Sequence, residues 1–166
     1  MKTLVAYFSR ADENYVSGAL KVLKTGNTEI VADMIQKETG ADLFKIDPVT
    51  KYSADYNTCI AEAKEDQRRD ARPELANYLD SIDEYDMIYL GYPNYWGTMP
   101  MAVFTFLEKY DFSGKTIKPF CTHEGSGMGK SESDIKKLCG NAKVEKGLAI
   151  HGTSVLKAEN AVKQWV

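Results

Sequence analysis

Short apolar stretches alternate along the chain with segments whose apolar residues recur every three or four positions. The apolar stretches are rich in β-branched and aromatic residues, and their lengths suit strands. Strands that alternate with helices are typical of a parallel sheet with crossover helices. The pattern predicts five strands, at residues 3–8, 42–46, 87–92 and 116–121 and within residues 144–150.

The segments between these strands predict helices. The first is expected to begin at Asn27, which can cap it, and to end at Gly40. A polar, alanine-rich stretch at residues 51–70 predicts a solvated helix, and residues 73–82 predict another after a proline start. Later helices are expected from about residue 100, from residue 131 and from about residue 155 to the C-terminus.

Five strands joined in this order are most economically built as an open, doubly wound sheet, because crossover connections are right-handed and short. We therefore predict an α/β fold of three layers with five parallel strands. A chain of 166 residues is expected to form a single domain, residues 1–166. In such sheets ligands bind beyond the carboxyl ends of the strands, so functional residues are expected just after residues 8, 92 and 121.

The composition limits which binding partners and which cellular location are expected for the protein. The formal net charge is −3, so the chain has no basic excess with which to bind nucleic acid or an anionic membrane, and neither partner is expected. The first apolar stretch is too short for a signal peptide or a membrane span, which predicts a cytoplasmic protein. The three cysteines include no C-x-x-C pair and are interpreted as reduced thiols that are buried in the core or half-buried.

A candidate phosphate site follows the first predicted strand. Ser9 and Arg10 come directly after that strand, and after a polar insert Thr25-Gly26-Asn27-Thr28 leads into the first helix. Hydroxyls, an amide and a glycine at a helix N-terminus suit an anion, because the helix offers unpaired N–H groups and the positive end of its dipole. The alternative, that these residues only cap the helix, stays open.

Two adjacent aromatic residues, Tyr95 and Trp96, follow the third predicted strand. They lie in a turn with Pro93, Asn94 and Gly97. Large aromatic side chains in a loop need cover, and a planar ring ligand would supply it. The alternative is that both rings fold over the sheet edge as a small cluster.

A glycine-rich loop follows the fourth predicted strand. Only three residues separate Gly125 from Gly129, which excludes a P-loop, and Lys130 stands where a dinucleotide fingerprint needs its third glycine. What remains is a flexible turn or a loop whose backbone can approach a flat ligand. His123 and His151 have no second ligand at metal-binding spacing, so no metal site is expected.

These segments, together with Tyr7-Phe8-Ser9, resemble the flavodoxin-like flavoproteins, and the order of elements agrees over essentially the whole chain. The resemblance implies the strand order 2-1-3-4-5 and an FMN cofactor, with its phosphate on the first loop and its isoalloxazine ring between the other two. The cofactor-binding residues it implies are Ser9, Arg10, Thr25, Gly26, Asn27 and Thr28 on the phosphate side, and Pro93, Asn94, Tyr95, Trp96, Gly97, Thr122, His123, Glu124, Gly125, Ser126 and Gly127 around ribityl and ring.

Electron transfer through bound FMN is the function that the resemblance implies, with a redox partner protein or a small electron acceptor as the partner. The alternative is an FMN-dependent oxidoreductase that reduces a quinone or another small acceptor with NAD(P)H. Electron-carrying flavodoxins are typically strongly acidic, whereas this chain is only mildly negative, so both hypotheses stay open. A receiver-type signalling domain is disfavoured, because Phe8-Ser9 and Pro93-Asn94 stand where its acidic residues are required.

Overall fold

The structure is a computed structural model that describes residues 2–166. Its strands are β1 (Lys2–Tyr7), β2 (Asp12–Val16), β3 (Ala19–Leu23), β4 (Asp42–Lys45), β5 (Tyr85–Pro93), β6 (Thr116–His123), β7 (Lys143–Val144) and β8 (Leu148–His151). Its α-helices are α1 (Asn27–Thr39), α2 (Tyr56–Arg68), α3 (Met101–Lys109), α4 (Ser131–Leu138) and α5 (Glu159–Trp165), and a 3-10 helix spans Gly152–Lys157.

The main sheet is parallel and has the order β4-β1-β5-β6-β7. The short strand β8 also pairs with β6, so β7 and β8 share the edge position beyond it. The predicted α/β class and the predicted order of five strand positions are therefore confirmed. The fifth strand differs from the prediction, because residues 145–147 interrupt it.

Two hydrophobic cores lie on opposite faces of this sheet. Leu4 and Ala6 of β1 point into the core with α3 and α4, whereas Val5 and Tyr7 point into the core with α1 and α5. This alternation follows from the pleat of a strand, in which successive side chains point to opposite faces. Helices on both faces give the three layers that the sequence predicts.

The polar insert at residues 11–24 is a β-hairpin. Strands β2 and β3 pair in antiparallel fashion, with Tyr15 opposite Leu20. Ser17 and Gly18 form the turn, and their φ angles of 55° and 80° are both positive. Two-residue hairpin turns favour such angles, because they match the right-handed twist of the strands. The hairpin therefore extends from the end of β1, beside the first predicted site loop.

No helix forms at residues 73–82, contrary to the sequence prediction. The Ala76 amide instead donates to the carbonyl oxygen of Asp47 at 2.7 Å, and an antiparallel bridge joins Pro48 to Leu75. These pairings hold the backbone in an extended path that a helix would break. Leu75 is nevertheless buried in the core, so the apolar position is right and the local conformation is wrong.

The remaining helices, the cysteines and the search for membrane spans can be described briefly. The helix expected at residues 51–70 is α2, and the last helix is divided between the 3-10 helix and α5. All three cysteines are buried and free, as predicted. Within residues 2–166, no helix combines the length and the apolar character needed to cross a membrane.

Candidate functional site

A half-open cavity of about 470 Å³ lies at the carboxyl ends of β1, β5 and β6. Sites for small molecules usually measure about 300–1,000 Å³. This edge of an open α/β sheet is also where its ligands bind. The lining residues are Ser9, Arg10, Asn14, Tyr15, Asn27, Thr28, Tyr56, Cys59, Ile60, Ala63, Pro93, Asn94, Tyr95, Trp96, Gly97, Thr122, His123, Glu124 and Ser126.

The three predicted site loops meet at this cavity. Most of the residues predicted to hold a cofactor line its wall. Thr25, Gly26, Gly125 and Gly127 lie in the same loops but outside the lining. The sequence therefore predicted loops that meet at one cavity. That these residues bind a cofactor stays a prediction.

The N-terminus of α1 opens onto the cavity. Gly26 occupies the N-cap position and Asn27 is the first helical residue, so the expectation that Asn27 caps the helix is wrong. The cap comes from the end of β1, where the Ser9 hydroxyl accepts a hydrogen bond from the Glu29 amide at 3.1 Å. Asn27 and Thr28 lie in the first turn, where the helix dipole favours a bound anion.

Gly26 allows the loop before α1 to approach the loop after β1. A Cβ atom at this position would lie 2.2 Å from Ser9 Oγ and 2.6 Å from the carbonyl oxygen of Arg10. A second link joins α1 to the neighbouring strand β6, because the buried hydroxyls of Thr28 and Thr122 lie 2.8 Å apart. The phosphate side of the cavity is thus held in place by direct contacts.

The Asn94 side chain joins the aromatic loop after β5 to the glycine loop after β6. Its Nδ2 donates to the carbonyl oxygen of Gly127 at 2.9 Å, and its Oδ1 accepts from the Gly97 amide at 2.9 Å. The Asn94 amide also donates to the carbonyl oxygen of Thr122 at 2.9 Å. The two loops that frame the predicted ring site therefore form one connected wall.

Tyr95 forms the inner part of that wall. Its ring packs edge-on against Phe8, with centroids 5.7 Å apart, and lies 6.1 Å from the ring of Tyr52. Burial raises the pKa of Tyr95 well above its ordinary value, so the hydroxyl stays protonated. Tyr95 thus belongs to an aromatic cluster and also lines the cavity.

Trp96 forms the outer part of the wall. Its side chain is held against α2, because Nε1 donates to the carbonyl oxygen of Ile60 at 2.9 Å and the Lys64 ammonium lies 4.8 Å from the ring centroid. The backbone adopts a φ of 52°. The residue is 47% exposed, which leaves part of this fixed ring open to a planar ligand.

Two walls of the cavity were missed by sequence reasoning. The first is a set of residues along one face of α2, called here the α2 stripe. Their spacing of i, i+3, i+4 and i+7 is a helical pattern that is visible in the sequence, although the surrounding stretch is polar. The second is the hairpin, whose Tyr15 ring lies 6.1 Å from the Tyr56 ring. The missed lining residues are Tyr56, Cys59, Ile60 and Ala63 on the stripe, and Asn14 and Tyr15 on the hairpin.

Two histidines lie side by side at the rim. The rings of His123 and His151 are 5.5 Å apart, and Glu124 Oε2 lies 3.4 Å from His151 Nδ1. His123 Nδ1 accepts from the Gly125 amide at 2.9 Å. Burial, and then the neighbouring His151, lower the pKa of His123. Both effects favour the neutral imidazole of His123. Within residues 2–166, no group of three or more His, Cys, Asp or Glu side chains is arranged to hold a metal ion.

Comparison with known proteins agrees with this geometry. A family model described as Flavodoxin matches residues 2–166. Flavodoxin 1 of Escherichia coli K12 is 30% identical over 119 residues, which are 69% of this chain and 50% of that protein. The chain thus spans about half the length of the curated relatives it matches.

Solved structures extend the likeness over the whole chain. A candidate flavoprotein of Bacteroides uniformis ATCC 8492 is 31% identical, covers 99% of this chain and 96% of its own, and has a TM-score of 0.78. A flavoprotein of Lactobacillus acidophilus NCFM, solved in complex with FMN, has the same fold at 19% identity, with coverage of 99% and 97% and a TM-score of 0.67. The family match supports FMN as the cofactor that the sequence implies. Because the Flavodoxin model extends from residue 2 to residue 166, this protein belongs to the flavodoxin family.

Proposed function

We propose that this protein binds FMN and transfers electrons through it. The observation that carries the proposal is that a helix N-terminus and an aromatic wall open into the same cavity. FMN needs both, because one end is a phosphate dianion and the other is a planar ring. When bound, its isoalloxazine ring would supply the electron transfer, and the protein would supply binding and orientation.

The phosphate would be held at the start of α1. Asn27 and Thr28 line the cavity there, and the Ser9 hydroxyl lies beside them. The close approach that Gly26 permits packs the two loops against each other, so contacts within the protein hold the residues around the phosphate position. A preformed site binds more tightly, because less loop ordering is needed on binding.

The ring would lie between the aromatic loop and the glycine loop. Tyr95 and Trp96 offer apolar surface on one side, and His123 and Ser126 lie in the lining from the other loop. Asn94 holds the two loops together. Such a wall keeps water from much of the ring, which disfavours added negative charge on it.

A titration of the apoprotein with FMN, riboflavin and FAD tests the proposal. We expect FMN to bind most tightly, with the visible absorption of a bound flavin. Asn27→Ala should weaken FMN binding more than riboflavin binding, and Asn57→Ala, at an exposed position of α2, serves as the matched control. Equal affinity of the wild type for FMN and riboflavin would contradict the phosphate site, and binding of no flavin would contradict the cofactor itself.

Two kinds of electron-transfer partner are compatible with bound FMN, a protein or a small molecule. We propose a redox partner protein as the primary partner, in keeping with the flavodoxin family. The apolar α2 stripe favours a second candidate, because Ile60, Ala63 and their neighbours add an apolar surface on which a small planar acceptor could lie. That candidate is an oxidoreductase that passes electrons from NAD(P)H to a quinone.

Steady-state turnover of the FMN-loaded protein separates the two candidates. A carrier should oxidise NAD(P)H only slowly without a separate reductase, whereas an oxidoreductase should turn over NAD(P)H and a quinone unassisted. If the protein is an oxidoreductase, Ile60→Ser should slow its turnover of quinone. If it is a carrier, Ile60→Ser should leave its electron exchange with a separate reductase unchanged. Rapid unassisted turnover would favour the second candidate.

A further inference from the structure

The Arg10 guanidinium is bound to main-chain carbonyl oxygens on two different segments. Nη2 donates to the carbonyl oxygens of Ser53 and Ala54, at 2.7 and 3.0 Å, and Nη1 donates to that of Glu13 in the hairpin. Both terminal nitrogens therefore have protein acceptors. A guanidinium arranged in this way connects segments that are distant in sequence, because its planar donors point in fixed directions.

The Arg10 guanidinium also lies beside the start of α2, because Ser53 and Ala54, whose carbonyl oxygens it binds, come just before that helix. Its charge opposes the effect of burial on the pKa of Cys59, in α2, and of Tyr95. The phosphate side is formed by Asn27 and Thr28 at the start of α1. Arg10 thus follows β1 in sequence, but its side chain extends to the hairpin and to the start of α2.

Glu13 and Asn14 strengthen the same connection from the hairpin. The Glu13 carboxylate accepts from the Tyr56 amide at 2.9 Å, and the Glu13 amide donates to the carbonyl oxygen of Ala54 at 3.3 Å. Asn14 Nδ2 donates to the carbonyl oxygen of Arg10 at 3.1 Å. The hairpin and the start of α2 are thus joined where the Tyr15 and Tyr56 rings meet.

We infer that Arg10 is a positioning residue and not the phosphate-binding residue that the resemblance implies. It holds the hairpin and residues 53–56 together as one wall of the ring site. The hairpin carries Asn14 and Tyr15 into the cavity lining, and residues 53–56 lead to Tyr56. Without the guanidinium, both segments would lose their shared donor. The inference rests on the proposed FMN site and concerns which part of the cofactor Arg10 serves.

The test compares two flavins that differ only in the phosphate. Arg10→Met keeps much of the side-chain length but removes the donors and the charge. We expect it to weaken FMN and riboflavin binding by the same factor, about tenfold, so that the ratio of the two dissociation constants matches that of the wild type. Arg10→Lys should restore part of the affinity for both flavins. Arg68→Met, an exposed arginine paired with Glu65 on α2, should change neither.

Hydrogen exchange of the apoprotein supplies a readout that does not depend on flavin. In Arg10→Met the amides of the hairpin and of Tyr56 should exchange faster, while those of β1 and β5 keep their protection. If Arg10→Met does not fold, Glu13→Ala should show the same pattern more weakly, because it frees the Tyr56 amide and leaves Arg10 in place.

The experiments distinguish a failure of the inference about Arg10 from a failure of the proposed FMN binding. Loss of FMN affinity with riboflavin affinity unchanged would overturn the inference and assign Arg10 to the phosphate. Unchanged binding of both flavins, or unchanged exchange in the hairpin, would overturn it too. If the wild type binds no flavin, the proposed function fails, and the exchange measurement still decides whether Arg10 holds the hairpin to residues 53–56.

Discussion

The Asn94 carboxamide donates a hydrogen bond of 2.9 Å to the carbonyl oxygen of Gly127, a residue 33 positions further along the chain. The same side chain accepts from the Gly97 amide. This side chain thus helps to fix the distance between the loops that follow β5 and β6, together with the Lys130 amide, which donates to the Gly97 carbonyl oxygen at 2.8 Å. A flavin ring would lie between these loops, so their spacing determines how well it fits.

Replacement of Asn94 should loosen the connection between the two loops, which then keep only their main-chain hydrogen bonds. In Asn94→Ala we expect the free energy of unfolding to fall by about 1–3 kcal/mol, because two hydrogen bonds of about 0.5–1.5 kcal/mol each are lost. Flavin affinity should fall as well. Chemical denaturation and flavin titration measure the two effects, with Asn160→Ala on the exposed side of α5 as the control. Unchanged flavin affinity would show that the loops keep their spacing without this side chain.

Adding a single methyl group at Gly26 should destabilise the protein. The Cβ atom of Gly26→Ala would lie 2.2 Å from Ser9 Oγ and 2.6 Å from the Arg10 carbonyl oxygen, so the backbone must shift. We expect a loss of about 1–3 kcal/mol in unfolding free energy, the usual effect of overpacking, and weaker FMN binding. Gly140→Ala is the matched control, because the nearest atom would be 3.9 Å away. A Gly26→Ala protein as stable as the control would contradict the close approach.

Trp96 should contribute to the binding of the ring and not of the phosphate. We expect Trp96→Ala to weaken FMN and riboflavin binding alike, by about two- to tenfold, since an aromatic contact contributes about 0.5–1.5 kcal/mol. Tyr78→Ala is a suitable control, because Tyr78 is also a partly exposed aromatic with a lysine above its ring. Isothermal titration with both flavins measures the effect. An unchanged affinity for both would remove Trp96 from the ring site.

The pKa of His123 should depend on the neighbouring ring of His151. Burial and then His151 lower the pKa of His123, so His151→Ala should raise it toward the ordinary value of about 6.5. Glu124→Gln should lower it, because the Glu124 charge favours the imidazolium. NMR titration of the His123 ring measures both shifts. A His123 pKa that does not respond to His151→Ala would contradict the coupling.

The lowered pKa of His123 should make the free energy of unfolding fall at acidic pH. The pKa of His123 is lower in the folded protein than in the unfolded chain, so the unfolded chain binds the proton more readily. The stability that neutral His123 contributes is present above the unfolded pKa of about 6.5 and is lost as the pH falls below it. His123→Asn should flatten this part of the profile of unfolding free energy against pH.

The main strands could be predicted because they are buried on both faces and therefore read as continuous apolar runs. Residues 87–92 are such a run, and β5 extends it only to Tyr85 and Pro93. The helix expected at residues 73–82 failed for the opposite reason. Its apolar spacing is real, but the backbone pairing of Leu75 and Ala76 with the segment after β4 overrides it.

The candidate site could be predicted only in part. Its loops follow strands, and their glycines and adjacent aromatics are visible in the sequence. The hairpin is less visible, because its strands pack little apolar surface and Val22 is 80% exposed. Ser17-Gly18 was its one local signal. That Arg10 connects this hairpin to residues 53–54 depends on contacts across more than forty positions, which no local pattern encodes.

The division of the last edge position between β7 and β8 has a consequence for how copies of the protein meet. An exposed strand edge offers unpaired N–H and C=O groups to a strand from another molecule. Here one edge strand, β4, has four residues, and the opposite edge is interrupted at residues 145–147. Within the interruption, the Gly147 amide donates to the Glu132 carboxylate at 2.8 Å and so faces its own chain. Neither border of the sheet offers a long, flat template, so we expect this fold to resist fibrous aggregation even at high concentration.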